Sequence, residues 1–394
     1  MTFSETSREV NLSGSRSLFS LFLSFLKLGT TAFGGPAMVS YIRRMTVERK
    51  RWLDDKTFAD GVALCQTIPG ATAMQVAAYV GLRARGLAGA AAAFVGFGLP
   101  AFSLMIALSA IYTRTYSLPG VVSVFHGLQA AVVAIVANAT LSFGRTSIRK
   151  WHDLFFAAFA AGMFGLKMSP ILVILISGVL AVVFFDRRAV SSEAGPPATA
   201  GPFKYLFPLF VVAAMGFALL FFMDRALFDL AALMFRIDLF AFGGGFASVP
   251  LMFHEIVEVR GWLEPGTFLD GIALGQVTPG PIVITATFIG YMLHGPIGGI
   301  IATLGVFLPS FLILVTIVPY FDRIRASAAF NKAIRGVLNS FVGLLFTVTY
   351  RFALNMTWDA SLALVASAAF VALLVKVEIV WVVLAVVFVS VVAL

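Results

Sequence analysis

Charge is what this chain has least of. Of its 394 residues only 12% are Asp, Glu, Lys or Arg, while 60% are hydrophobic. So few charges cannot cover the surface of a water-soluble domain, which excludes a soluble fold. Cysteine is almost missing as well. The single Cys65 rules out an intrachain disulfide and a multi-cysteine metal site. His126, His152, His254 and His294 are scattered without metal-ligand spacing. There is no P-loop of the GxxxxGKS or GxxxxGKT type, no GxSxG elbow and no HExxH pair. ATP therefore does not drive this chain directly, and no cofactor or metal is implied.

What is abundant is apolar sequence. Runs fall at Leu18–Tyr41, Phe58–Leu82, Leu87–Tyr112, Val121–Phe143 and Leu154–Phe185. The last is long enough for two short helices meeting near Lys167–Pro170. After them come Phe203–Met223, Leu227–Phe253, Phe268–Leu293, Ile297–Phe321, Ala333–Phe352 and two more from Trp358 onward. Several approach or exceed the roughly 20 residues a membrane helix needs. A net charge of +9 raises nucleic acid as a partner, but the basic residues sit in short loops between apolar runs. That is the positive-inside pattern of a membrane protein, so nucleic acid is excluded. No cleavable signal peptide is evident, and the first apolar run reads as retained. The domain reading is a polar tail over 1–16, a first unit over 17–185, a flexible linker over 186–204 and a connecting helix plus second unit over 205–394. The linker is rich in Ser, Ala, Gly and Pro.

The two units are copies. Phe33-Gly34-Gly35 recurs as Phe242-Gly243-Gly244, Trp52-Leu53 as Trp262-Leu263, and Asp60-Gly61 as Asp270-Gly271. Gln66 with Pro69-Gly70 returns as Gln276 with Pro279-Gly280, and Gly86 and Pro100 return as Gly295 and Pro309. The offset stays at 209 or 210 residues throughout. Charge then orients the copies. Between the first two runs, six basic residues from Arg43 to Lys56 oppose three acidic ones; the matching loop has Arg260 against Glu255, Glu258 and Glu264. The contrast continues at Arg83 and Arg85, whose counterpart has only His294, and reverses in the pair of loops after that, where Arg114 faces Arg323, Arg325, Lys332 and Arg335. Equivalent loops therefore lie on opposite sides of the membrane. The fold class is an all-α polytopic membrane protein built from two inverted-topology repeats. Phe58–Leu82 lies between two basic loops of the same side, so it reads as a re-entrant hairpin broken at Pro69-Gly70. The run broken at Gly34-Gly35-Pro36 is a second candidate. Irregular backbone survives at membrane depth only when buried in protein or lining a watery cavity. The broken segments of both halves are therefore expected to meet.

Repeats interrupted by Gly and Pro are the pattern of a transporter whose site lies between its halves. Gly34, Gly35 and Pro36, with Gly243, Gly244 and Gly245, free backbone N–H groups that bind anions, or else serve close helix packing. Beside the second break, Gln66, Thr67, Pro69 and Gly70 match Gln276, Thr278, Pro279 and Gly280. Their amides and hydroxyls either contact oxyanion oxygens or satisfy carbonyls freed by the proline. Lys27 and Arg236 are aligned cations about two turns before each Phe-Gly-Gly. Two matched positive charges suit a doubly charged anion. The bland readings are that Arg236 pairs with Asp238 and Lys27 snorkels to the interface. Asp60 and Asp270, also matched, are read first as helix caps or partners of basic loops, and second as proton relays.

These residues resemble a known family. Phe25 with Lys27-Leu28-Gly29, Phe33-Gly34-Gly35-Pro36, Trp52 and Gln66-Thr67 with Pro69-Gly70 look like the N-terminal half of the chromate ion transporter family, bidomain type. Phe242-Gly243-Gly244-Gly245 with Val249-Pro250-Leu251, and Gln276 with Thr278-Pro279-Gly280-Pro281, resemble its C-terminal half. The resemblance implies a multi-pass protein of the bacterial inner membrane that exports chromate and recognises sulfate as a look-alike. Asp238 departs from the repeat, standing where the first copy has Gly29. Expected partners are a small oxyanion, the lipid bilayer and, as an open alternative, a second copy in a homodimer. Sulfate or another oxyanion as the physiological substrate stays open, as does a channel. A membrane redox or sensor protein should carry a cofactor motif or paired thiols, and neither is present.

Overall fold

A computed structural model describes residues 17–34, 37–185 and 203–393. The expected tail and most of the expected linker lie outside the described residues. Every element described is helical. The first repeat comprises α1 (Leu18–Gly29), α2 (Ala37–Arg43), α3 (Asp55–Thr67), α4 (Thr72–Thr115), α5 (Pro119–Ser147), α6 (Trp151–Gly165) and α7 (Pro170–Phe184). Next comes α8 (Phe203–Met223), which takes in the last two residues of the expected linker. The second repeat is α9 (Arg225–Leu239), α10 (Ser248–Phe253), α11 (Pro265–Val277), α12 (Thr285–Ile317), the short α13 (Phe321–Arg325), α14 (Ala328–Leu354), α15 (Ala360–Leu374) and α16 (Ile379–Ala393). Five of these are long and apolar enough to cross a membrane.

Local chemistry sets the boundaries. Asp54, Ser327 and Asp359 each cap a helix by accepting a backbone N–H, and Pro119, Pro170 and Pro265 open helices at positions where no N–H is needed. Lys167 and Lys376, equivalent in the repeat, end α6 and α15 with φ of 64° and 67°. Each turn carries the paired bonds of a Schellman ending, such as Met168 N–H to Met163 O and Val377 N–H to Ala372 O. The duplication reaches fine detail. α4 bends at Arg85-Gly86 and α12 at His294-Gly295, with Gly86 and Gly295 at φ of 63° and 61°. α2 and α10 both continue into one turn of π-helix, Arg44–Arg49 and His254–Val259. π-turns of this kind gather at functional sites.

The second break of each repeat is the tip of a hairpin. Tyr79 Oη on α4 donates to Thr57 O at the start of α3 (3.3 Å), and Arg83 donates to Tyr79 Oη. α3 and the first part of α4 therefore run antiparallel, and both ends lie on the same side of the fold. At about 1.5 Å per residue, the 13 residues of α3 reach only about 20 Å, too short to span a bilayer core of roughly 30 Å. In the second repeat Gly271 packs on the Phe288 ring as Gly61 packs on Tyr79.

Inversion is visible in the contacts. Asp153 at the start of α6 is bound by Arg335 near the start of α14, and Phe164 O near the end of α6 by Arg351 near the end of α14. So α14 runs parallel to α6, while along α5 the later Gly144 lies against Val342 of α14 and the earlier Thr140 against Thr349. The equivalent helices α5 and α14 are therefore antiparallel, and Thr140 and Thr349, 209 residues apart, touch at 3.4 Å where they cross. That contact marks the pseudo-two-fold axis. Each repeat's crossing helix packs on the other repeat's last hairpin, α14 on α6 and α7 and α5 on α15 and α16. Gly343 makes this possible, since a Cβ there would collide with Ala157 O.

Candidate functional site

The site is built where the breaks of opposite repeats meet. Gly70 N–H donates to Ala241 O at 3.0 Å, and Gly280 N–H donates to Ala32 O at 3.0 Å. These are equivalent bonds, so the Pro-Gly tip of each repeat is tied to the Gly-Gly tip of the other. Gly70 and Gly280 have φ of 117° and 130°, conformations that other residues rarely adopt. A Cβ on Gly70 would also strike Ser310 Oγ, and one on Gly280 would come within 2.7 Å of Ala101. Gly34, Gly243 and Gly244 are likewise left-handed, at φ of 82°, 95° and 93°. Gly245 opens a short 3-10 turn leading into α10. Gly35 and Pro36 lie outside the described residues.

The polar groups around the tips divide. The Thr67 and Thr278 hydroxyls donate to the carbonyls of Leu64 and Leu274, each at 2.8 Å. Both thus serve the helix they end. Gln276 Nε2 is buried without a hydrogen-bond partner among the described residues, while Gln66 is exposed. Gln75, which sequence reasoning did not single out, donates to Pro69 O at 2.6 Å and so holds the first tip.

The acids part ways. Asp238 does not pair with Arg236. It is fully buried and accepts from Ser310 N–H (2.9 Å) and Ser310 Oγ (2.7 Å), and Ser310 Oγ in turn accepts from Ala71 N–H (2.8 Å). This links the end of α9, the middle of α12 and the first-repeat tip in one chain. Asp238 stands opposite a serine; its equivalent Gly29 packs directly on Phe97 O, where a Cβ would collide. Asp60 leaves the cap to Asp54 and lies 3.8 Å from Arg325, a basic loop residue, in line with the expected pairing. Asp270 is neither cap nor ion pair: Tyr112 Oη (2.8 Å) and Gln129 Nε2 (2.7 Å), both from the first repeat, donate to it.

The two aligned cations are unequal. Arg236 pairs with Glu255 on the π-turn of its own repeat, and Arg260 donates to the same carboxylate at 3.0 Å. Glu255 is buried, and Met45 occupies its position in the first repeat. That mismatch was the readable signal for this pair. Lys27 is exposed and has no ion pair among the described residues. It lines a cavity of about 550 Å³ between α1 and the α2 arm, together with Arg44, Arg49 and Lys50.

Inverted helical repeats with broken helices meeting at their core define a multi-pass membrane protein of the transporter class. Comparison with known proteins gives the family. The chromate transporter model matches residues 19–182 and again 228–391, so both ends of the match shift by the same 209 residues. The chain is 33% identical to a chromate transport protein of Pseudomonas aeruginosa, over 84% of this chain and 79% of that one. It is 32% identical to a chromate transport protein of Cupriavidus metallidurans, over 90% and 87% of the two chains. It is also 46% identical, over 87% and 86%, to an uncharacterized transporter of Methanocaldococcus jannaschii. No solved structure matches the chain. The chain belongs to the chromate transporter family.

Proposed function

We infer that the protein is a secondary transporter of the bacterial inner membrane that exports chromate from the cytoplasm and recognises sulfate as a competitor. The observation that carries this reading is the reciprocal pair of tip contacts, Gly70 to Ala241 and Gly280 to Ala32. It joins the four broken segments at one place, which is where an inverted-repeat transporter binds its substrate. The anion is held there by backbone N–H groups of the Gly34 and Gly243–Gly245 breaks and by the amides of Gln66 and Gln276. Lys27, which forms no ion pair among the described residues, supplies positive charge to the pathway, and Arg236, already neutralised by Glu255, contributes less. Pro69, Pro279 and the paired glycines keep the backbone out of helical geometry so that these groups face one another. Moving a dianion outward is favoured by an inside-negative potential, at about 2.3 kcal/mol per charge per 100 mV. Export on this reading needs no coupled proton. Sulfate as the physiological substrate is the alternative within the same class, since it shares the charge and tetrahedral shape of chromate.

The test is radiolabelled chromate flux in inside-out vesicles, with and without an imposed potential and excess sulfate. Potential-driven accumulation blocked by sulfate is expected. No accumulation under any gradient, with the protein inserted, overturns the substrate.

A further inference from the structure

The cavity beside Lys27 has a composition that the family reading does not use. Four of its lining side chains are cationic: Lys27 from α1, and Arg44, Arg49 and Lys50 from the π-turn and its end. No acidic side chain lines it. The nearby carboxylates are engaged elsewhere, Glu48 by Arg43 Nη1 at 2.7 Å and Asp55 by Arg43 Nε at 2.8 Å. All four cations are exposed, and among the described residues none forms an ion pair. Tyr41 and Thr31 add hydroxyls to the same wall. Thr31 stands three residues before Gly34, so the cavity runs from the basic loop at Lys50 to the edge of the first break.

The second repeat supplies the control. Its equivalents of Lys27, Arg44, Met45, Arg49 and Lys50 are Arg236, His254, Glu255, Val259 and Arg260. There Glu255 takes both arginines, and Glu258 takes His254 at 2.9 Å and Arg351 at 2.6 Å. One copy of the arm is neutralised internally. The other has the same backbone and four positive charges that form no ion pair among the described residues.

We propose that this cavity is a capture site for a tetrahedral oxyanion, loading chromate from the cytoplasmic side before it reaches the breaks. The inference rests on the transport reading and adds Arg44, Arg49 and Lys50 to it as binding residues. A cleft lined by one sign of charge concentrates counter-ions and speeds their arrival, an effect that falls with ionic strength. The basic loop at its mouth is the side that the charge bias assigns to the cytoplasm, which fits a carrier that loads inside and releases outside. A phosphate headgroup of an anionic lipid presents the same oxygen chemistry, so the test separates the two.

The protein is reconstituted in vesicles of phosphatidylcholine alone and in vesicles with added phosphatidylglycerol. Initial chromate rates are measured for the wild type and for R44Q/R49Q/K50Q. In the neutral vesicles the triple variant should raise KM about tenfold or more, with a smaller change in maximal rate. The wild type's rise of KM with salt should flatten in the variant. An unchanged KM and unchanged salt dependence overturn the proposal. So does a wild type that works only with phosphatidylglycerol and loses only that lipid dependence in the variant, which would make the cavity a headgroup site. If the folded wild type moves no chromate, calorimetric titration with sulfate and molybdate in neutral nanodiscs decides the cavity independently. Binding weakened about tenfold in the variant keeps the capture site and discards chromate; equal binding, or none to either protein, discards the capture site.

Discussion

The two Phe-Gly-Gly arms of this protein share a backbone and differ in charge. In the second repeat Arg236 and Arg260 close on the buried Glu255, and Glu258 ties the same π-turn to Arg351 on α14. In the first repeat Met45 replaces Glu255, and Lys27 faces a basic cavity. The difference teaches that duplication preserves geometry more faithfully than electrostatics. One arm has become structural, braced by ion pairs to α9 and α14. The other carries four cations that form no ion pair among the described residues. Asp238 follows the same logic with the halves exchanged. It and Ser310 build a buried polar link in the second repeat, where Gly29 of the first repeat packs on the backbone at Phe97.

The comparison breaks most completely at what the arms share. Gly70→Val places a branched side chain at a φ of 117° against Ser310 and Gln75. It should abolish chromate flux and lose the monodisperse peak in detergent size-exclusion chromatography, and Gly280→Val should do the same; full activity in either would remove the tip contacts from the fold. Next in size is a contact that only one repeat has. Asp153 is fully buried and held by Arg335 and Asn339, while its repeat equivalent is Leu362. Asp153→Ala leaves Arg335 and Asn339 without their acceptor and should cost about 2–3 kcal/mol, less than a fully buried pair because Arg335 is 35% exposed. The loss is read as a lower midpoint in thermal unfolding.

The arms themselves are compared by exchanging their charges. Lys27→Ala should cut chromate flux about tenfold or more without loss of inserted protein, and Arg236→Ala should cut it less while lowering stability. Met45→Glu gives the first repeat the carboxylate of the second. It should pair with Lys27 and slow flux severalfold, and a Met45→Gln control of similar shape should slow it less; equal rates in the two would show that charge at this position is irrelevant. The smallest effect belongs to the axis. Thr140→Val removes the 3.4 Å contact with Thr349 and should cost under about 1 kcal/mol, with flux near that of the wild type.

Much of this architecture is legible from residues taken locally. The pauses at Lys167–Pro170 and at Gly86 appear as helix ends and bends because a left-handed φ or a proline acts within a few residues of itself. The hairpin over Phe58–Leu82 follows from two basic loops on one side, and Tyr79 bonded to Thr57 bears it out. Gln276, which the sequence places beside its break, has an amide nitrogen that is buried without a hydrogen-bond partner among the described residues. Partner choice is where local reading stops. Arg236 has Asp238 two residues away, yet successive positions on a helix point apart, and the π-turn instead brings Glu255 against it. The threonines beside the prolines satisfy their own helices, an outcome that composition leaves open.

Composition, apolar runs, the charges of the loops and the doubled Gly and Pro positions by themselves determined a membrane protein of two inverted, broken-helix halves. Each of these acts through the solvent or through the chain's own backbone, so none depends on a distant residue. Only the tertiary structure decided that Asp238 answers Ser310 across 72 residues, that Asp270 answers Tyr112 across 158, and that Thr140 meets Thr349 across 209. It decided as well that one arginine is neutralised and one lysine is not. In a low-dielectric interior a buried charge is stable only beside its partner, and which partner arrives is set by how the helices pack.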